Sequence, residues 1–159
     1  KIDINEIEKN YEFLVNESLK IKVNVVEKDE KEKKGLREIL NFGHTIGHGI
    51  EISDIKRFSH GDAVCLGMIG ESFISYKKGI CDKEICQRIE NLGKKFKLIT
   101  SFDKIDFEKI IYFLKYDKKV RKGKLRFVLP EKIGKVKIVE IEEKEIMKIL
   151  KEWNKNGKN

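Results

Sequence analysis

Residues 35–62 read GLREILNFGHTIGHGIEISDIKRFSHGD and hold all three histidines of the chain, His44, His48 and His60, amid a dense set of glycines. If residues 35–52 are helical, Arg37, Asn41, His44 and His48 fall at i, i+4, i+7 and i+11 and line one face. Leu36, Ile39, Leu40, Ile46 and Ile50 are left to pack elsewhere. Solvated helix faces usually carry Lys and Glu, and core faces carry aliphatics. A line of one Arg, one Asn and two His instead suits an anionic, hydroxyl-rich small molecule with a metal beside it. The plainer alternative is that these side chains are satisfied polar groups where two helices meet, with Gly43, Gly47 and Gly49 permitting close approach.

Working outward, Ser59 and Asp62 match the pattern of a capping hydroxyl followed three residues later by a carboxylate, so a helix should begin at His60 and run to about residue 76. Lys77, Lys78 and Gly79 then supply a cationic last turn and a stop. Upstream, Ile4, Ile7, Tyr11, Leu14, Val15, Leu19 and Val23 recur at helical spacing, which predicts one or two amphipathic helices before residue 26. Downstream, Asp82 and Asp106 are candidate caps of helices over about 83–92, ended by Gly93, and 107–116. Strand signals are confined to 125–129 and 136–139, joined by a turn at Pro130 and Gly134, and a last helix spans about 143–153. The expectation is a single, mainly α domain over residues 1–159: a bundle-like set of helices with one small β-hairpin.

The chain has 159 residues, with 35 Lys and Arg against 27 Asp and Glu, a formal net charge of +8. A chain of this length buries enough surface to fold without a disulfide or structural metal. The composition excludes collagen-like and low-complexity polymers. No run approaches the ~18 apolar residues of a membrane span, and the first ten residues, KIDINEIEKN, carry no apolar core of the signal-peptide kind. A cytoplasmic protein is therefore expected, with Cys65, Cys81 and Cys86 as free thiols packed on helix faces.

Spacing leaves the metal ligands open. His44 and His48 are four apart on a helix, as in zinc proteases, although Thr45 stands where those enzymes carry a glutamate. The other pairing joins His44 to His60 at the start of the next helix and leaves His48 for the substrate.

A longer pattern runs through these residues: Lys22-x-x-Val25-Val26-x-x-Asp29-Glu30-x-Glu32, Gly35-Leu36-Arg37, Leu40-Asn41-Phe42-Gly43-His44-Thr45, Gly47-His48, His60-Gly61-Asp62-Ala63-Val64 and Gly67-Met68. With Asp117-Lys118-Lys119 and the segment from Leu125 to Gly134, it resembles the C-terminal half of the 3-dehydroquinate synthase family over about residues 20–139. The resemblance implies the shikimate-pathway reaction that converts 3-deoxy-D-arabino-heptulosonate 7-phosphate into 3-dehydroquinate and phosphate, in the biosynthesis of aromatic amino acids. It implies His44 and His60 as ligands of Zn²⁺ or Co²⁺ and His48 as a substrate contact. Lys22, Arg37, Asn41 and Lys118 fall on positions that hold the substrate's carboxylate and hydroxyls, and Glu32 on an acidic position at the site's edge. NAD⁺ is expected on an N-terminal domain that this chain does not include. That domain and the sugar-acid phosphate are the implied partners, and the family pattern leaves room for a homodimer. Lys33 and Lys34 stand where the family usually has one residue, Asp62 replaces a glutamate, and the family's third zinc ligand precedes Lys1. The chain alone is accordingly expected to bind Zn²⁺ weakly and to turn over nothing.

Three other classes fit the sequence less well. A basic nucleic-acid-binding module fits the net charge, but acidic residues are interspersed and no aromatic-flanked basic stripe is present. A related sugar-phosphate cyclase or glycerol-dehydrogenase-like metal enzyme would share the helical domain, yet Arg37, Asn41 and Lys118 favour a carboxylated substrate. An interaction domain without catalysis sits poorly with the intact ligand set.

Overall fold

A computed structural model describes residues 7–31, 33, 35–103, 105–116 and 124–156. The chain divides into two compact units, Lys1–Leu40 and Asn41–Asn159. In the first, the apolar period before residue 26 forms one helix, α1 (Ile7–Lys28). Its end is fixed by the buried Asp29, whose carboxylate accepts the Leu36 N–H at 2.8 Å. Tyr11, Leu19, Ile21 and Val23 remain exposed on α1.

The expectation of one helix over 35–52 is corrected. Leu36–Asn41 is a 3-10 helix, and Gly43 takes the left-handed conformation, φ 83°. A fresh helix, α2 (His44–Ser53), starts after it. With three residues per turn in the first piece and a break at Gly43, Arg37, Asn41, His44 and His48 do not share one helical face.

The second unit is built around α3 (His60–Lys77), which is buried at Ala63, Leu66, Ile69, Glu71, Ser72 and Ile74, almost all round its circumference. It packs against α2, α4 (Lys83–Lys95), α6 (Glu143–Asn156) and the first strand of a hairpin, β1 (Lys124–Lys132) paired antiparallel with β2 (Lys135–Glu142). In the hairpin Phe127 faces Val139 and Leu125 faces Ile141, with an irregularity between Pro130 and Lys132 just before the Gly134 turn. Helix α5 (Phe107–Tyr116) packs on α2 and is capped as expected, Asp106 Oδ1 accepting the Glu108 and Lys109 N–H groups at 3.0 and 3.1 Å. Ile46, Ile50, Leu66, Ile110, Phe127, Ile146 and Leu150 form one core in this unit.

One stop and one cap differ from expectation. Gly93 lies inside α4, not past its end; the position is glycine for want of space, since a Cβ there would meet Cys65 Sγ and the Thr100 side chain at 2.6 and 2.9 Å. The helix ends two residues later, where Lys97 turns left-handed at φ 56°. Asp82 precedes α4 without a side-chain capping bond. No helix is long and apolar enough, among the described residues, to cross a membrane.

Candidate metal and substrate site

The close crossing of α2 and α3 sets the site. A Cβ on Gly67 would lie 1.8 Å from the Gly43 carbonyl oxygen, and one on Gly47 would sit 3.0 Å from the Ala63 oxygen. Backbones this near leave no room for side chains between them, so the polar groups of α2's first turn must be satisfied from α3 itself. Glu71 does this. Fully buried, its carboxylate accepts N–H from Gly43 at 2.7 Å, Thr45 at 3.0 Å and Ile46 at 3.2 Å. It thereby supplies the partners that a helix start lacks. Thr45 Oγ1 adds a bond to the Arg126 carbonyl on β1 at 3.3 Å.

The loop after α2 is short and pinned by Phe58, which is buried, and by the Asp54 N–H returning to the Ile50 oxygen at 3.1 Å. It delivers His60 to the first position of α3, where Ser59 caps the helix. Ser59 Oγ accepts from the Asp62 N–H at 3.1 Å and donates to Asp62 Oδ2 at 2.5 Å, and Asp62 Oδ1 accepts the Ile99 N–H at 2.9 Å. The Ile99 amide and then the Ser59 hydroxyl bind the charged carboxylate and hold Asp62 below its ordinary value of 3.8.

The three imidazoles converge. Ring centroids are 5.5 Å apart for His44 and His48, 5.9 Å for His44 and His60, and 6.4 Å for His48 and His60. Two rings sharing one tetrahedral ion through Nε2 at about 2.0–2.1 Å would have centroids roughly 5 Å apart, close to this spacing. His60 Nδ1 lies 3.1 Å from Glu51 Oε2, and His44 Nδ1 lies 3.3 Å from the Phe42 carbonyl oxygen. Carboxylate and carbonyl oxygens only accept, so both bonds need the proton on Nδ1 and leave each Nε2 lone pair free for a metal. The residues thus fit two positions of a divalent-ion site. Among the described residues no three His, Cys, Asp or Glu side chains close into a metal cage.

Asn41 is exposed, two residues before the Gly43 turn. Lys22 is exposed on α1 and Arg37 half-buried in the 3-10 helix, both in the first unit. Glu32 and Lys118 lie outside the described residues. Glu71 and Glu51 were not anticipated from sequence. The available signal was Glu71 itself, a lone carboxylate inside the apolar run of α3.

A family profile described as 3-dehydroquinate synthase C-terminal matches residues 2–120. The chain belongs to that family. It is 49% identical over 149 residues to the 3-dehydroquinate synthase of Dictyoglomus turgidum, covering 92% of this chain and 41% of that protein. It is 43% identical to the enzyme of Caldanaerobacter subterraneus subsp. tengcongensis, covering 87% and 39%. The chain thus spans about two-fifths of the curated relatives' length. Among solved structures it is similar to a 2-deoxy-scyllo-inosose synthase complexed with carbaglucose-6-phosphate, NAD⁺ and Co²⁺, with a TM-score of 0.74 at 25% identity over 91% of this chain and 41% of that one. A 2-epi-5-epi-valiolone synthase from Streptomyces hygroscopicus subsp. jinggangensis 5008, with NAD⁺ and Zn²⁺ bound, gives a TM-score of 0.69 at 20% identity over 84% and 37% and shares the fold. The mainly α architecture with its hairpin is that of the dehydroquinate synthase-like C-terminal domains.

Proposed function

We propose that the chain is the metal- and substrate-binding part of a 3-dehydroquinate synthase, acting on 3-deoxy-D-arabino-heptulosonate 7-phosphate together with an NAD-binding domain. The observation that supports this is the nearness of the His44 and His60 rings, each with an acceptor at Nδ1, which leaves Nε2 outside those bonds. Likeness to 2-deoxy-scyllo-inosose synthase supports sugar-phosphate cyclisation in general, and the higher identity to dehydroquinate synthases supports the carboxylated substrate.

His44 and His60 would hold a Zn²⁺ or Co²⁺ ion, which would supply polarisation of a substrate hydroxyl, and NAD⁺ on its own domain would supply the hydride acceptor. His48, one turn past His44, is the imidazole left to hold a substrate hydroxyl or move its proton. Arg37 offers a planar fork to the carboxylate, and Asn41, Lys22 and Lys118 offer donors to hydroxyls and phosphate. Once the carbon beside the departing phosphate is acidified, elimination needs a base and donors for the anion, the chemistry that these residue types carry. Glu32 is assigned to the edge of the site.

Co²⁺ titration of the chain and its single alanine variants tests the ligand pair. His44→Ala and His60→Ala should abolish the absorbance of bound Co²⁺, and His48→Ala should retain it. Loss of binding in His48→Ala with retention in His60→Ala would overturn the pairing.

A further inference from the structure

One peptide unit joins Glu71 to His44. The N–H of Gly43 and the C=O of Phe42 belong to the same planar group, and in a trans peptide they point in opposite directions. Among the described residues no peptide is cis. Glu71 Oε2 takes the N–H end at 2.7 Å, and the C=O end lies 3.3 Å from His44 Nδ1. Gly43 is left-handed, so this peptide is held by its neighbours and not by a helical ladder. The Gly43 oxygen is engaged on the other side, by the Gly47 N–H at 3.0 Å and by the backbone of Gly67.

We infer that Glu71 is a positioning residue for the metal site: through the Phe42–Gly43 peptide it keeps the proton of His44 on Nδ1 and the Nε2 lone pair free for the ion. Its grip on the Thr45 and Ile46 N–H groups fixes the helix start that carries the ring. The inference rests on His44 being a ligand, but its first consequence, the tautomer of His44, exists without metal.

The test uses two variants. Glu71→Ala removes all three acceptances and also opens a cavity. Glu71→Gln keeps the volume: its Oε1 can still accept from Thr45 and Ile46, whereas its amide NH₂ replaces Oε2 opposite the Gly43 N–H. The opposite amide orientation sets NH₂ against two donors and is disfavoured. Long-range ¹H–¹⁵N NMR of the metal-free chain reads the tautomer of each histidine. In Glu71→Gln, His44 should move from the Nδ1–H form toward a mixture, with His60, held by Glu51, unchanged. Zn²⁺ affinity should fall about 10- to 100-fold, the range for lost outer partners of ligating histidines. A folded Glu71→Gln protein with His44 still in its original tautomer would overturn the inference, whatever the metal does. A shifted His44 in a chain whose parent binds no Zn²⁺ would uphold the positioning role and sink the ligand assignment instead.

Discussion

At the scale of single residues, the crossing of α2 and α3 depends on atoms that are absent. Gly67 meets the Gly43 carbonyl where a methyl would lie 1.8 Å away, against backbone that has no soft side chain to yield. Gly67→Ala should therefore push the helices apart and cost roughly 1–3 kcal/mol or more, the range for overpacking a tight contact. Gly61→Ala is the control, since its nearest neighbour would be Ser59 Oγ at 3.9 Å. Urea unfolding of the two variants checks this, and equal stabilities would refute the role of the crossing. Cys86 offers a second residue-level outcome. Burial, then the neighbouring Cys81, pushes its thiol up to about 11. At pH 7.5 almost none of it is thiolate, so alkylation by iodoacetamide should be far slower than that of free cysteine. Modification at the rate of the free amino acid would contradict the burial.

At the scale of elements, the cap of α3 links the helix to the segment beyond α4. Asp62 joins Ser59 to the Ile99 N–H, and both bonds favour the charged carboxylate. A carboxyl lowered on folding stabilises fully above its unfolded value near 3.8, and that stability is lost as pH falls through the lower folded value. Asp62→Ala should cost about 1–2 kcal/mol at pH 7 and progressively less below pH 4, measured by urea unfolding across that range. An undiminished difference at pH 2.5 would assign the effect to packing. The same helix marks what could be read beforehand. His60 as a start, Asp106 as a cap and the hairpin around Gly134 all rest on local chemistry, and each is where the pattern put it. The break at Gly43 is not local: GLREILNFGHTIGHGI has an uninterrupted helical period, and only the approach of Gly67 and Glu71, more than twenty residues away, selects the left-handed turn. Gly93 misled for a related reason: it is glycine because Cys65, distant in sequence, leaves no room for a Cβ, and not because the helix stops there. The three histidines were legible as a group, but the carboxylates tied to His60 and, through a peptide, to His44 were not, because nothing in the spacing of Glu51 and Glu71 announces which N–H they meet.

At the scale of the whole molecule, binding and turnover should separate. Catalytic zinc centres usually take three protein ligands. The described residues offer two imidazoles whose free nitrogens are set by Glu51 and Phe42, with His48 beside them and no completed cage. The sequence contains no G-x-G-x-x-G turn to cradle a dinucleotide, and it spans 41% of the D. turgidum enzyme. By the reading proposed above, the NAD-binding domain places the hydride acceptor against the substrate, and without that oxidation the carbon beside the phosphate stays unacidified. The 159-residue chain with Zn²⁺, NAD⁺ and 3-deoxy-D-arabino-heptulosonate 7-phosphate should consequently release no phosphate above the uncatalysed background. Calorimetry should still detect weak Zn²⁺ binding that His44→Ala removes. Phosphate release accompanied by dehydroquinate from this chain alone would mean that its own residues supply both the third ligand and the nucleotide site, and the division of labour proposed for the two domains would fall.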